Sequence, residues 1–96
     1  ITFGEFTLDK DRGSLNRGGK EISLNGQEFR LLTYLASNNN IVISRNTLLD
    51  LVWGYDTETS SRTVDVHIAK IRNKLEESLI PHHILTIRGR GYKFIK

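Results

Sequence analysis

The chain has 96 residues, of which 38% are hydrophobic and 26% charged, and this composition indicates one small globular domain with a single modest core. It has no cysteine, which excludes disulfides and thiolate metal sites and fits a reducing cytoplasm, and no apolar run approaches the ~20 residues of a membrane span. The net charge of +3 is uneven: residues 1–61 carry six basic and eight acidic residues, whereas residues 62–96 carry eight basic and three acidic, a pattern that suits a polyanion or a solvated surface equally.

Residues 1–24 predict a small antiparallel sheet. Short apolar positions, among them Phe3, Phe6 and Leu8, are separated by polar and turn-forming residues. The Gly18-Gly19 pair between two strand-like segments is typical of a two-residue hairpin turn.

Residues 25–79 predict three helices. Asn25 is expected to cap the first helix in a capping box with Glu28, and the run Asn38-Asn39-Asn40 to end it. Ser44 is expected to cap a second helix that ends at Gly54, where a loop over 54–60 begins. Ser60 or Ser61 begins a third, longer helix, expected at about residues 60–77.

Residues 84–96 predict a C-terminal hairpin. Pro81-His82-His83 interrupts regular secondary structure after the third helix. Two strands then flank the glycine-rich turn Arg88-Gly89-Arg90-Gly91. A small sheet, three helices and a basic hairpin together predict an α+β fold, a winged helix-turn-helix in which the hairpin is the wing. The loop over 54–60 is longer than the usual turn of that motif.

The third helix has two distinct faces at 100° per residue. Val64, Ile68, Ile71 and Leu75 form the core stripe. The opposite face carries the residues suited to reading DNA. Directly opposite the core stripe, Val66 fits a thymine methyl group, small Ala69 permits close approach, and Arg62 can reach a phosphate; Asn73 lies there too. To one side, Lys70 can donate to guanine and Thr63 can reach a phosphate, and at the other edge Asp65 can accept from cytosine.

The same residues also allow purely structural interpretations, which the sequence leaves open. The third helix also fits an ordinary surface helix with an Arg62–Asp65 ion pair, and His67 fits a packed position beside the core. Arg88 and Arg90 suit a narrow minor groove, but they also suit a plain turn with solvated arginines.

Several motifs together resemble the effector domain of OmpR/PhoB-type response regulators. They are Glu28-Phe29-Arg30-Leu31-Leu32, the run from Ser44-Arg45 to Val52-Trp53-Gly54, Arg62 to Ile68 with Lys70, Arg72 and Lys74-Leu75-Glu76, and Thr86 to Phe94. The resemblance covers essentially the whole chain. It implies a third helix in the major groove, a wing at the minor groove, and an N-terminal receiver domain that is absent here. Since the chain also lacks methionine, we expect it to be a fragment of a longer protein.

The resemblance also implies a set of site residues and partners. By resemblance, the expected contacts to double-stranded DNA are Arg62, Thr63, Asp65, Val66, His67, Lys70, Arg72 and Arg88, and the loop residues Asp56, Thr57 and Glu58 are expected to touch RNA polymerase. Asn73, from its place on the helix face, and Arg90, from its place in the hairpin, are expected to contact DNA as well. Some family members carry two consecutive basic residues where this chain has Ala69-Lys70, which implies a different operator. We expect a monomeric domain that binds tandem direct repeats, with a cognate sensor kinase acting through the receiver.

Other classes of function find little support in the sequence. No catalytic motif, metal site or cofactor motif is recognisable: His82-His83 fits an exposed loop, and Gly89-Arg90-Gly91 lacks the further glycine and helix of a phosphate-binding loop. We therefore expect no enzyme, no cofactor and no membrane association, in the cytoplasm. The remaining alternatives are a winged helix that binds RNA or one that docks to a protein.

Overall fold

The N-terminal part of the chain is a four-stranded antiparallel sheet. In the computed structural model, which describes residues 1–54 and 59–96, its strands are β1 (Thr2–Phe3), β2 (Phe6–Asp9), β3 (Ser14–Arg17) and β4 (Lys20–Ile22), in sequential order. Gly18 and Gly19 both have positive φ and Arg17 pairs with Lys20, so the predicted hairpin is confirmed. The apolar residues of alternate positions are buried and cover one side of the core.

The first two helices begin and end at the predicted caps. α1 (Gly26–Ser37) has the full capping box of Asn25 and Glu28, and α2 (Arg45–Trp53) is capped by Ser44, whose side chain accepts from the Thr47 N–H. Gly54 ends α2 with a φ of 79°, a conformation that glycine adopts without strain.

The third helix, α3 (Ser61–Lys74), buries the predicted stripe but is shorter than expected. Ser60 occupies the cap position without a side-chain hydrogen bond. The prediction of a helix to Glu77 is wrong, because Glu76 adopts a left-handed φ of 61° and turns the chain. Glu77 is buried instead, and its carboxylate accepts from the backbone N–H groups of His83 and Ile84. It thereby anchors the segment that leads into the hairpin.

The C-terminal sheet has one strand more than the sequence predicts. β6 (Ile84–Ile87) and β7 (Gly91–Phe94) form the expected antiparallel hairpin, and the two-residue strand β5 (Val42–Ile43) pairs with the other edge of β7. A side chain at Gly91, whose φ is 140°, would place its Cβ 2.0 Å from the backbone oxygen of Ile43. β7 is therefore the central strand, and its junction with β5 requires glycine.

One hydrophobic core unites the two sheets and the three helices. The sheets meet where the ring of Phe3 packs edge-on against Phe94 and His83, with centroids 5.0 and 4.9 Å apart. Three helices and a β-hairpin follow the N-terminal sheet in the predicted order, so the α+β winged-helix architecture is confirmed. None of the helices in the described ranges is long and apolar enough to cross a membrane.

Candidate nucleic-acid interface

The outward face of α3 is exposed and cationic. Arg62, Val66, Ala69, Lys70 and Asn73 are all exposed, and half of the Val66 surface remains open to solvent. Within residues 1–54 and 59–96, neither Arg62 nor Lys70 forms an ion pair. The face therefore presents exposed cations beside the apolar side chain of Val66, as the helical wheel predicts.

His67 and Thr63 lie at the edge of this face and are half-buried. The Nδ1 atom of His67 is 2.8 Å from the backbone oxygen of Thr63, and its ring packs edge-on against Trp53 at a centroid distance of 4.9 Å. The imidazole thus joins α3 to α2, as the packed interpretation of this histidine expects.

Asp65 is fully engaged within the protein. The guanidinium of Arg45 donates to both carboxylate oxygens, with an Nε–Oδ1 distance of 3.0 Å, and the Tyr92 hydroxyl donates to Oδ1 at 2.6 Å. The Arg62–Asp65 ion pair considered from the sequence does not form; the partner of Asp65 is Arg45. Burial, followed by the hydrogen bond to Asp65, raises the pKa of Tyr92 to about 12.

Arg72 is turned toward the wing. Its Nε and Nη2 atoms donate to the backbone oxygen of Ile84 at 3.2 and 2.7 Å, and Nη2 also donates to Thr86 Oγ1 at 2.8 Å. The guanidinium carbon lies 5.7 Å from the centre of the Tyr92 ring, within cation–π range. Arg72 therefore connects α3 to both strands of the hairpin.

The wing, defined here as β6, the turn over 88–90 and β7, exposes two arginines. Arg88 and Arg90 lie in the turn, which is closed by a hydrogen bond from the Arg90 N–H to the Ile87 oxygen. No ion pair involves either guanidinium in the part of the chain that the structure describes. Both charges are consequently available to a polyanion.

A concave groove of about 510 Å³ lies between the start of α2, α3 and the wing. It brings Asp65, Arg88 and Arg90 together with Arg45 and Asn46, two residues that were not predicted as site residues. The signal for them was a basic and an amide residue directly after the α2 cap. Arg62, Val66, Lys70 and Asn73 do not line this cationic groove; they form the separate outward face of α3.

An ion pair between the buried Glu28 of α1 and the half-buried Lys74 joins α1 to the end of α3. Lys74 Nζ is 2.6 Å from Glu28 Oε1, and Glu28 is only 1% exposed. Burial tends to raise the pKa of Glu28, but the hydrogen bonds from Lys74 and from the Asn25 N–H outweigh it and hold that pKa below its usual value. The sequence predicted the capping role of Glu28 but not its contact with the end of α3.

The structure leaves the predicted polymerase contacts untested. Asp56, Thr57 and Glu58, the expected polymerase contacts, lie outside the described residues. Among the described residues, no three His, Asp or Glu side chains come together as a metal ion would require.

Comparison with known proteins assigns this arrangement to a family. Residues 19–94 match the family described as "Transcriptional regulatory protein, C terminal". The response regulator SaeR of Staphylococcus aureus is 46% identical over 95 residues, which cover 98% of this chain and 42% of SaeR. The chain spans about two fifths of the length of the curated relatives that it matches.

Solved structures give the same assignment. The Thermotoga maritima response regulator DrrB, an OmpR/PhoB homologue, superimposes with a TM-score of 0.92 at 36% identity, over 100% of this chain and 44% of DrrB. The DNA-binding domain of Klebsiella pneumoniae RstA, solved in complex with the RstA box, gives a TM-score of 0.87 at 33% identity, over 98% of this chain and 94% of that one.

Proposed function

Because the chain belongs to the family of C-terminal domains of transcriptional regulatory proteins, in its OmpR/PhoB branch, we propose that it binds double-stranded DNA sequence-specifically and so regulates transcription. The observation that carries this proposal is the exposed face of α3. There Arg62 and Lys70, which form no ion pair with another residue that the structure describes, flank Val66 beside a groove with two wing arginines. The RstA domain, a structural neighbour, was solved with its DNA box, which supports the same ligand for this chain.

We assign α3 to the major groove, which is wide enough to admit a helix. Lys70 donates to guanine acceptors, Val66 contacts a thymine methyl group, and the small side chain of Ala69 lets the helix approach the base edges. Arg62, in the first turn of α3, and Thr63 beside it reach phosphates and fix the register of the helix. Asn73, exposed on the same face, contributes a further hydrogen-bonding group.

We assign the wing to the adjacent minor groove. Arg88 and Arg90 project from a thin exposed turn, and a narrow A·T-rich minor groove concentrates negative potential that attracts arginine. Asp65, Arg72 and His67 have partners within the fold, so their main contribution to binding is to position the elements that touch DNA.

We propose the domain's place in its protein and its partners from the resemblance to OmpR/PhoB-type response regulators. It is the output domain of a two-component response regulator that acts in the cytoplasm, without enzymatic activity of its own. A cognate sensor kinase acts on the protein through its receiver domain. The domain is monomeric when isolated and occupies tandem direct repeats about 10–10.5 base pairs apart. The loop residues Asp56, Thr57 and Glu58 contact RNA polymerase.

The decisive experiment compares base reading with general affinity. The reference duplex is the preferred site that the wild-type domain selects from random sequences. Lys70→Ala and Val66→Ala are each expected to weaken binding to that site by about 1–3 kcal/mol and binding to random duplex by less. Lys20→Ala, which removes an exposed lysine of the N-terminal sheet, serves as the matched control and is expected to change neither. Equal losses on both duplexes would refute base reading, and a flat salt dependence of wild-type binding would favour protein docking instead.

The polymerase assignment has a separate test. Replacing Asp56, Thr57 and Glu58 together with alanine is expected to reduce transcription from the target promoter while DNA affinity stays unchanged. A parallel loss of DNA affinity would make the loop a structural element.

A further inference from the structure

Three side chains link the recognition helix to the wing. Asp65 of α3 accepts a 2.6 Å hydrogen bond from the hydroxyl of Tyr92 in β7. Arg72, two turns further along α3, lies over the Tyr92 ring and donates to Ile84 and Thr86 in β6. Asp65, Tyr92 and Arg72 are called the wing brace below.

The wing brace holds both strands of the hairpin. Tyr92 attaches β7 and Arg72 attaches β6, at positions two turns apart on α3. Two separated attachments restrict rotation of the hairpin as well as its translation. The Asp65 carboxylate is itself held by Arg45 at the start of α2, so the wing brace also connects the wing to α2.

We propose that the wing brace is a specificity device: it fixes how many base pairs separate the bases that α3 reads from the minor-groove segment that the wing arginines contact. This inference rests on the proposed function. Successive base pairs are about 3.4 Å apart along the duplex, so a hairpin that shifted by a few ångströms would accept two or three spacings. A braced hairpin accepts one.

The contacts of Arg72 favour this role over a direct DNA contact. Its guanidinium makes three hydrogen bonds within the protein and stacks on a ring, so contacting a phosphate would require it to leave an established set of partners. Tyr92 is 7% exposed and presents no charge to DNA. Tyr92→Phe therefore removes one brace contact while keeping the ring that packs in the core.

The first test measures affinity as a function of spacing. The duplexes carry the same α3 site, with an A·T-rich segment moved by one base pair at a time in a G·C background. Wild type is expected to prefer one spacing by about fivefold, the scale of a single good arginine contact. Tyr92→Phe and Arg72→Met are expected to reduce that preference to about twofold or less.

Arg17→Met is the matched control. Arg17 also makes bridging hydrogen bonds to distant elements and lies over an aromatic ring, 5.3 Å from the centre of Phe6, but it does not touch the wing. It is expected to keep the wild-type spacing preference. An equal flattening in Arg17→Met would show that general loosening of the fold, and not the brace, sets the preference.

The second test needs no DNA. The chain has no cysteine, so Ser37→Cys and Arg90→Cys allow spin labels at the end of α1 and on the wing. The label-to-label distance distribution is expected to be narrow in this background and to broaden when Tyr92→Phe or Arg72→Met is added, but not with Arg17→Met. Unchanged distributions in both brace variants would overturn the proposal.

Other outcomes separate the brace from the function beneath it. If Arg72→Met weakens binding equally at every spacing while Tyr92→Phe has no effect, Arg72 is a phosphate contact and the brace proposal is wrong. If wild type binds DNA with a steep salt dependence but shows no spacing preference, the minor-groove role of the wing and the brace both fail, whereas DNA binding stands. Absence of salt-dependent DNA binding would refute the proposed function itself.

Discussion

The two partners of the Glu28–Lys74 ion pair differ in their access to water, so we expect their replacement to lower the free energy of unfolding by different amounts. The Glu28 side chain is 2% exposed, whereas that of Lys74 is 34% exposed. Removing Glu28 leaves an ammonium that water can solvate. Removing Lys74 leaves a carboxylate that water cannot reach, so we expect Lys74→Met to be the more damaging change.

The magnitudes follow from the contacts that each change removes. Asn25 N–H and Lys74 Nζ both donate to Oε1 of Glu28, so in Glu28→Gln the amide oxygen can still accept from them, and the loss is that of the charge-assisted interaction with Lys74. A hydrogen bond to a charged group contributes about 1.5–3 kcal/mol, and partial exposure of Lys74 reduces this to about 1–2 kcal/mol. Lys74→Met adds the cost of an uncompensated carboxylate and is expected to cost about 2–3 kcal/mol.

Urea denaturation followed by circular dichroism measures these differences, and the double variant completes a thermodynamic cycle. We expect a coupling free energy of about 1–2 kcal/mol at neutral pH. A coupling below about 0.3 kcal/mol, or a smaller cost for Lys74→Met than for Glu28→Gln, would refute the reasoning. Arg17→Met, which removes two exposed ion pairs, is the control and is expected to cost less than either of the other changes.

The pH dependence has a definite sign. The pKa of Glu28 in the folded protein is below its value of 4.5 in an unfolded chain, so the folded state favours the charged carboxylate. The stability from this shift is therefore fully present above pH 4.5 and is lost as the pH falls through the folded pKa. The stability difference between wild type and Glu28→Gln should shrink over that acidic range and stay constant near neutrality.

Three further predictions concern the wing and its surroundings. Gly91→Ala is expected to destabilise the fold by about 3 kcal/mol or more, because the new Cβ would meet a backbone oxygen of β5 at 2.0 Å, whereas Gly89→Ala, in open space, is expected to cost about 1 kcal/mol in the same denaturation assay. In an ultraviolet titration, subtracting the Tyr92→Phe signal should reveal a phenol with a pKa of about 12; Asp65→Asn should lower that pKa without returning it to 10, since burial is the larger cause, and an unchanged value would remove Asp65 from the site. Arg88→Ala is expected to weaken binding most on sites with an A·T-rich flank, and a wild-type affinity that ignores a change from A·T to G·C in that flank would contradict the assignment of the wing.

The secondary structure was largely predictable, because its determinants lie within a few residues of one another. The capping box joins positions three apart, the core stripe of α3 repeats every three to four residues, and the Gly18-Gly19 turn needs only its own backbone freedom. Such local patterns can be recognised in a single sequence. The exposed face of α3 followed from the same periodicity, and so did the candidate residues Arg62, Val66 and Lys70.

The partners of the polar residues were not predictable, because they come from distant parts of the chain. Asp65 is 27 residues from Tyr92 and 20 from Arg45, and Glu28 is 46 from Lys74. From the sequence, Asp65 could equally pair with Arg62 or accept from a base. Only the packing of α2 and β7 against α3 decides between these alternatives.

The two-residue strand β5 and the early end of α3 show the same division. Val42–Ile43 carries too short a pattern to indicate a strand, and it becomes one because β7 offers an edge with matching hydrogen bonds. The helical period of α3 continues to Leu75, but Glu77 turns inward to bind the N–H groups of His83 and Ile84. Local periodicity and capping thus determined which segments are helices and strands, whereas competition among distant polar groups for buried partners decided where α3 ends and how the wing is held.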